Sequence, residues 1–412
     1  IVYGRSRGLG LWADDFQWVD NAYHATTADR WNPFRHGHFY RPLVGVYFDA
    51  AVASCGWSAP CFHTLNLVAH WLTSLAVCAL AAAVADSFPA GLLAGVLFAA
   101  QPGPVEAVTW VSAISEVQAT LAVVVAVWLF HRAARRGSRG AYAASIVAYV
   151  VALLTHESAI VALPLMALLP LADGPQPAAR RRARLLRLMP YVIVTAISLG
   201  IAVVVNARNY VVTEGEYRAG LHIMTNIAQA LVSLAVARRN LLGVLVVVAA
   251  MAAAGTIAPA RVRYFVWWTV VALAPFSLFR FGLPSRYLYL AAVGFASMTA
   301  VLLWWLRGSL MRRGAVGLAL WTLVTIGVIA RSAVFTIRNV RVSAAASRPF
   351  DAYAAEILTR EPHPNAGATL AVPAPPAAVG ENIVETLLRW TYRDPELRVD
   401  IQPMSGGDDG PR

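Results

Sequence analysis

Two adjacent carboxylates, Asp14 and Asp15, open a polar segment that is rich in Trp, His and Arg. One member of such a pair can act as general base toward a hydroxyl, while the other positions the acceptor or binds a divalent cation, Mg²⁺ or Mn²⁺. Asp15 is the candidate cation ligand. The same spacing also fits a solvated helix end, so the position of the pair in the fold must separate the two interpretations.

Three glutamates, Glu106, Glu116 and Glu157, lie within or beside apolar stretches. An ionisable group at membrane depth is costly and usually faces a cavity or a charged partner. These glutamates are therefore candidates for orienting a substrate or a nearby cation. A side chain that extends to the membrane surface is the alternative for each of them.

Two single arginines, Arg41 and Arg286, lie beside aromatic residues at predicted helix ends. The guanidinium group matches the oxygens of a phosphate, which makes both arginines candidate phosphate ligands. Anchoring among interfacial tyrosines is the alternative.

His63, Asn66 and His70 are three and four residues apart, which places them on one face of a predicted helix. A metal pair would fit this spacing, but polar residues that line a cavity or an interhelical contact fit it better. Cys55 and Cys61 share an extramembrane loop and could form a disulfide in an oxidising compartment.

The elements that must position these residues are membrane helices. Hydrophobic residues make up 58% of the 412 residues and charged residues 14%, well below the ~25% of soluble domains. Apolar runs approach the ~20 residues that a membrane crossing requires. They cover residues 62–85, 117–130, 141–154, 191–205 and 241–257. The net charge of +12 comes from arginines clustered between these runs, which indicates positive-inside loops and argues against a nucleic-acid partner.

The arginine clusters at residues 132–139 and 180–187 predict cytoplasmic loops, so the hairpin tip at 155–158 and the segment 14–58 lie on the outer side. Residues 101–104 break a helix near that side. Residues 221–236 must be re-entrant or interfacial if Arg238 and Arg239 are to stay outside; otherwise the sidedness of every later segment reverses. A first membrane helix is expected before Ile1. The predicted organisation is a transmembrane domain over 1–342, followed by an extramembrane tail over 343–412 that shows no site.

In this order the motifs resemble those of the C-type (GT-C) membrane glycosyltransferases, most closely the membrane part of tetratricopeptide-linked O-mannosyltransferases and their bacterial relatives. The similarity covers residues 10–300. Besides Asp14 and Asp15, it rests on residues 40–43, 62–70, 101–112, 156–157, 163–165 and 285–290. The chain departs from the family where His156 replaces a lysine and Ser285 replaces a glutamate. Gln101 and Pro104 replace two histidines, and the arginine before Glu116 is missing.

The resemblance implies an all-α, polytopic transmembrane helix bundle with short interfacial helices in its outer loops. It implies an inverting enzyme of the bacterial plasma membrane, with its site facing the periplasm. Such an enzyme moves a sugar from a polyprenyl-phosphate donor to a hydroxyl of a protein or glycolipid acceptor. A divalent metal ion, Mg²⁺ or Mn²⁺, would be optional for this reaction.

The resemblance also implies roles for the candidate residues. Asp14 or Asp15 would be the base, and Arg286, His156 and Arg41 would stabilise the donor phosphate. The orienting groups would be Glu106, Glu116 and Glu157. A multi-pass transporter or lipid flippase, and a membrane subunit without catalytic activity, are the competing classes.

Overall fold

The computed structural model describes residues 2–35, 39–173, 177–207 and 209–402, and most of these are helical. The α-helices are α1 (Asp14–His24), α2 (Thr27–Trp31), α3 (Pro42–Cys55), α4 (Ala59–Ala85), α5 (Phe88–Ala99), α6 (Val105–Thr109), α7 (Ile114–Arg136), α8 (Arg139–Thr155), α9 (Ala162–Leu168), α10 (Pro170–Asp173), α11 (Ala178–Leu186), α12 (Met189–Asn206), α13 (Tyr210–Thr213), α14 (His222–Leu234), α15 (Leu241–Ile257), α16 (Ala260–Ser277), α17 (Tyr289–Leu310), α18 (Gly314–Ser343), α19 (Arg348–Arg360) and α20 (Glu381–Tyr392). Short 3₁₀ turns include Val111–Ala113, Glu157–Val161 and Ser285–Leu288, and two strands, β1 (Thr369–Pro373) and β2 (Arg398–Gln402), lie in the tail.

The helices confirm a multi-pass membrane protein. Among the described residues, four continuous helical segments are long and apolar enough to cross a membrane: Ala59–Ala85, Val111–Arg136, Arg182–Asn206 and Ser285–Arg360. The last of these segments contains α17, α18 and α19. Apolar helices of 10–17 residues accompany them. Helix α14 has 13 residues and a length of about 20 Å, which is short of the ~30 Å hydrocarbon core. The re-entrant or interfacial position of residues 221–236 stays a prediction.

Ion pairs connect the ends of three helices at one end of the bundle. Asp86, just after α4, accepts hydrogen bonds from Arg135 at the end of α7 (2.7 Å) and from Arg261 at the start of α16 (2.8 Å). Arg261 therefore lies at the same end of the bundle as the arginines at 132–139, which the charge-based topology predicts to be cytoplasmic.

Small residues allow α4 and α5 to pack closely. Gly91 and Gly95 lie four residues apart on α5, a spacing typical of close contacts between membrane helices. A Cβ atom added at Gly91 would lie 2.5 Å from the Cys78 carbonyl oxygen, and one at Gly95 would lie 2.9 Å from the Ser74 carbonyl oxygen. The two backbones can therefore approach only because these positions are glycine.

We expect Gly91→Ala to destabilise the protein by about 1–3 kcal/mol, because the added methyl overpacks a contact with backbone atoms. Gly308→Ala is the matched control, since a Cβ atom at this helical glycine meets no atom within 4 Å. Thermal unfolding in lipid nanodiscs would measure both variants. Equal melting temperatures for Gly91→Ala and the wild type would contradict the packing argument.

The predicted helix break is present between α5 and α6, and side chains from other segments bond its free carbonyl groups. Unpaired backbone carbonyls are costly at membrane depth. The carbonyl oxygens of residues 99–102 accept hydrogen bonds from His70 Nε2 (3.3 Å), Thr336 Oγ1 (2.7 Å), Tyr3 Oη (2.8 Å) and Asn339 Nδ2 (3.1 Å) in that order. The break is thus a supported feature, and it carries Glu106 on α6 to the site described below.

The tail folds back onto the first helix. Its strands β1 and β2 pair in parallel, which the sequence analysis did not predict, and α20 lies between them in the chain. Arg389 of α20 pairs with Asp20 of α1 at 3.0 Å. Trp390 packs on Trp57 with ring centroids 5.6 Å apart. The tail is therefore attached to α1 by an ion pair and by aromatic contacts.

A disulfide joins α3 to α4. Cys55 ends α3 and Cys61 lies in the first turn of α4, and their sulfur atoms are bonded. Trp57, which supports the tail, lies in the loop that this bond closes.

Candidate active site

A cavity of about 860 Å³ opens where α1, the α6–α7 junction, the loop before α17 and α20 meet. Four of the predicted site residues lie in its wall: Asp14, Arg41, Glu116 and Arg286. It lies at the end of the bundle away from Asp86, because α7 begins at the cavity and ends beside Asp86. The remaining predicted acidic residues and His156 lie behind the wall, where they contact its members.

The two aspartates occupy different environments. Asp14 is exposed to the cavity, whereas Asp15 is fully buried. Oδ1 of Asp15 accepts hydrogen bonds from the N–H (2.7 Å) and the hydroxyl (2.6 Å) of Ser112, and Oδ2 accepts from Trp12 N–H (3.1 Å). Asp15 therefore ties the start of α1 to the turn before α7, and of the two aspartates it is Asp14 that lines the cavity.

The backbone just before Asp14 is strained. Ala13 has a φ of 52°, a region that residues with a Cβ rarely occupy. The neighbouring Trp12 is held by Asp15 and by the Trp110 indole, which donates to the Trp12 carbonyl oxygen at 3.2 Å. Strain of this kind persists where surrounding contacts enforce it, commonly at functional sites.

Surrounding protein raises the pKa of Asp14, and the charge of Arg286 partly offsets this effect. Burial raises the pKa of Asp15 to about 7, against the hydrogen bonds from Ser112 and Trp12. A raised pKa makes a carboxylate a stronger base. Asp14 combines this property with access to the cavity.

The pKa of Asp15 predicts a pH-dependent stability. The folded protein keeps the Asp15 proton up to about pH 7, whereas an ordinary Asp releases it near pH 3.8. Between these values the folded state binds more protons, so the free energy of unfolding falls as pH rises, by up to ~1.4 kcal/mol per pH unit. Asp15→Asn removes this contribution to the pH dependence of the free energy of unfolding. Melting temperatures recorded from pH 4 to pH 7.5 should fall more steeply for the wild type, and parallel curves would contradict the assignment.

Arg286 is held in a cage at the cavity wall. Its guanidinium pairs with Glu106 and lies over the rings of Trp110 (4.8 Å) and Tyr287 (4.7 Å). Ser285 adds a hydrogen bond from its hydroxyl to Glu106 Oε2 at 3.2 Å. These contacts fix the position of the Arg286 guanidinium group in the cavity wall. Ser285 contacts Glu106 through a neutral hydroxyl. At the position of Ser285, the family that the motifs resemble has a glutamate.

Arg41 forms a two-pronged ion pair with Glu157. Nε and Nη2 of Arg41 donate to the two carboxylate oxygens of Glu157 at 3.0 and 2.6 Å. Although burial raises the pKa of Glu157, the Arg41 charge lowers it to about 2, so this carboxylate is ionised at any physiological pH. Arg41 lies in the cavity wall and Glu157 lines a neighbouring groove.

His156 lies behind Glu116 as a neutral side chain. Its Nδ1 accepts the N–H of Ser158 at 3.1 Å, which requires that this nitrogen carry no proton. Nε2 therefore carries the proton, and it lies 2.9 Å from Glu116 Oε1. His156 is nearly fully buried and lies outside the cavity wall, next to the wall residue Glu116. This geometry places it in support of Glu116 rather than in direct reach of a phosphate.

The polar stripe on α4 lies outside the cavity wall. His70 donates to the Ala99 carbonyl and accepts from the hydroxyl of Tyr289 at 2.7 Å. Asn66 Nδ2 donates to the Trp110 carbonyl at 3.0 Å. His63 Nε2 is 3.4 Å from the Gly10 carbonyl. Two of the three residues thus bond carbonyl groups at helix ends near the break.

The surroundings of Asp15, the candidate cation ligand, do not suit a divalent cation. Among the described residues no group of three or more His, Cys, Asp or Glu could hold a metal ion. Asp15 faces N–H and O–H donors, and Glu106 and Glu157 face arginines. Fixed positive charge in the cavity comes from Arg41 and Arg286.

Several wall residues were missed by the sequence analysis. They include Gln17, Trp18, Asn21 and Asn382. The first three follow Asp14 at helical spacing, and this pattern could have identified them. Asn382 carries no local signal, because its place depends on the docking of the tail more than 350 residues away in the chain.

An apolar groove of about 140 Å³ adjoins the cavity between α8 and α12. Leu153, Leu154 and Ile197 lie along it, and Glu157 lies at its polar end. Phe39 borders both the groove and the cavity. The cavity and the groove are therefore neighbours across the Arg41–Glu157 ion pair.

The chain has the fold of the GT-C membrane glycosyltransferases. ArnT from Cupriavidus metallidurans in its apo state aligns with a TM-score of 0.56 at 13% identity, over 99% of this chain and 84% of that chain. ArnT bound to undecaprenyl phosphate aligns with a TM-score of 0.54 at 13% identity, over 98% and 84% of the two chains.

A third similar structure is the oligosaccharyltransferase AglB from Archaeoglobus fulgidus in complex with an inhibitory peptide and a dolichol-phosphate. Its TM-score is 0.50 at 11% identity, over 94% of this chain. This chain spans 60% of the length of that protein. No protein-family model matches the chain, and no curated protein sequence matches it.

Proposed function

We propose that this protein is an inverting glycosyltransferase that moves a sugar from a polyprenyl-phosphate donor to a hydroxyl acceptor. The observation that carries the proposal is the placement of a carboxylate, Asp14, and two guanidinium groups, Arg41 and Arg286, in one cavity of a membrane helix bundle. A base and fixed positive charge are what an attack by a hydroxyl and the departure of a phosphate require. The resemblance of the motif order to that of tetratricopeptide-linked O-mannosyltransferases supports a hexose as the transferred sugar.

In the proposed reaction, the acceptor oxygen attacks the anomeric carbon as the bond from that carbon to the phosphate oxygen breaks. The proton of the acceptor hydroxyl passes to Asp14. The bonding electron pair leaves with the polyprenyl phosphate, whose growing negative charge is stabilised by Arg286 and Arg41. Attack opposite the leaving group inverts the anomeric centre. Glu106 and Glu116 keep Arg286 and His156 in place.

The groove between α8 and α12 suits the lipid tail of the donor. Its wall is mostly apolar, and its polar end meets the cavity at Arg41 and Glu157. A phosphate entering from the groove would compete with the Glu157 carboxylate for Arg41. The neighbours bound to undecaprenyl phosphate and to dolichol-phosphate support a lipid-phosphate ligand for this fold. We place the cavity on the periplasmic side of a bacterial plasma membrane, because the arginine clusters mark the other end as cytoplasmic.

The purified protein in lipid nanodiscs tests the proposal. Incubation with polyprenyl-phosphate hexoses and with hydroxyl-bearing peptides and glycosides should give a glycosylated acceptor and free polyprenyl phosphate in equal amounts, detected by mass spectrometry. Movement of the intact donor between leaflets of a vesicle, without cleavage of its sugar–phosphate bond, would favour a lipid flippase instead.

A further inference from the structure

One face of α1 lines the cavity over two helical turns. Asp14, Gln17, Trp18 and Asn21 stand at i, i+3, i+4 and i+7, and all four lie in the wall. At 1.5 Å per residue, Asn21 lies about 10 Å along the helix axis from Asp14. An acceptor whose hydroxyl reaches Asp14 can therefore extend along this face.

The tail adds a residue to the same wall. Asn382, in the first turn of α20, lines the cavity, and its carbonyl oxygen accepts a hydrogen bond from Gln17 Nε2 at 3.3 Å. The Arg389–Asp20 ion pair holds α20 on α1, and both side chains are largely buried. Gln17, Asn21 and Asn382 together form what we call the carboxamide face.

The chemistry of the carboxamide face differs from that of the rest of the cavity. A carboxamide both donates and accepts hydrogen bonds, as a sugar hydroxyl does, and it carries no charge. Within the described part of the chain, no hydrogen bond to another side chain occupies the amide groups of Asn21 or Asn382. Trp18 adds a polarised aromatic surface, which suits the C–H groups of a sugar ring, and it is braced by Phe48 at 5.3 Å.

The same features disfavour other acceptors. A phosphorylated acceptor needs cations, but Arg41 and Arg286 come from the loop before α3 and the turn before α17 and not from the carboxamide face. An extended peptide is commonly bound through its backbone at a strand edge. The face consists of side chains on α1 and at the start of α20, so it offers no strand.

We propose that the carboxamide face binds a neutral, hydroxyl-rich acceptor, a glycan of about two sugar rings, and that Asn21 and Asn382 determine this specificity. The inference rests on the proposed glycosyl transfer in one respect: that reaction is what would make the bound glycan an acceptor. Glycan binding itself requires no turnover, so it can be measured separately. The tail is then a part of the acceptor site.

The test uses the full-length Asp14→Asn protein in nanodiscs, which binds without reacting. Maltotriose and an end-blocked threonine tripeptide serve as probes, and calorimetry measures their Kd. Maltotriose should bind more tightly than the tripeptide. Adding Asn21→Leu or Asn382→Leu should weaken maltotriose binding about tenfold each, as expected for a lost pair of hydrogen bonds. Asn365→Leu, an exposed change on the same tail away from the cavity, is the matched control.

Tighter binding of the tripeptide, or an unchanged maltotriose Kd in both leucine variants, would overturn the inference. Both asparagines are exposed, so the substitutions leave the packed core intact. A wild type that binds maltotriose as expected but cleaves no polyprenyl-phosphate hexose would refute the proposed function and leave the binding inference standing.

Discussion

Asp14→Asn should abolish measurable sugar transfer, with kcat lower by about 10³-fold or more. General base catalysis contributes ~10²–10⁴-fold, and an amide cannot take up the proton of the acceptor hydroxyl. Because Asp14 is exposed to the cavity, the substitution should leave the melting temperature within about a degree of the wild type. Transfer would be measured from the release of polyprenyl phosphate at saturating donor.

Two comparisons make the Asp14 result interpretable. Asp400→Asn changes an exposed carboxylate on β2 that does not line the cavity, and should retain full activity. Below pH 7, where Asp15 is protonated, Asp15→Asn should mainly destabilise, by about 1–3 kcal/mol, since its new amide N–H₂ would meet an N–H or O–H donor of Trp12 or Ser112. If Asp15→Asn folded stably and lost all transfer while Asp14→Asn stayed active, the assignment of the base to Asp14 would be wrong.

Arg286→Met should lower kcat by about 10²–10³-fold with a smaller change in KM. Negative charge on the leaving phosphate is greatest in the transition state, so loss of a fixed cation affects the chemical step more than donor binding. Arg286→Lys should recover only part of the rate. An ammonium group lacks the planar fork that pairs with Glu106 and lies between Trp110 and Tyr287.

Arg398→Lys and Arg398→Met, on the exposed edge of β2, provide matched controls for the two changes. The measurement is the donor dependence of transfer for each variant at fixed acceptor concentration. An increase in KM at unchanged kcat would show that Arg286 only holds the donor in its ground state. Full activity of Arg286→Met would remove Arg286 from the proposed reaction.

Local information in the chain was enough to predict most of the membrane helices. The apolar run at 62–85 lies within α4, and that at 241–257 coincides with α15, because burial in lipid demands long stretches without charge whatever the tertiary packing. The break at residues 101–104 also follows from local chemistry, since proline cannot continue the hydrogen-bond ladder. The acidic and basic candidates could be named for the same reason: a charged group beside an apolar run is costly unless it has a function or a partner.

Which partner each charged residue has could be decided only by tertiary structure. Glu106 meets Arg286 across 180 positions, and Arg41 meets Glu157 across 116. The chain alone could not separate Asp14 from Asp15, because neighbours on a helix point about 100° apart and only the packing of α1 against Ser112 buries one of them. The docking of the tail, which brings Asn382 to the cavity, likewise depends on long-range contacts that leave no local pattern. Composition and periodicity thus determined a membrane helix bundle with charged groups at one end, while the three-dimensional packing decided which of those groups face the cavity.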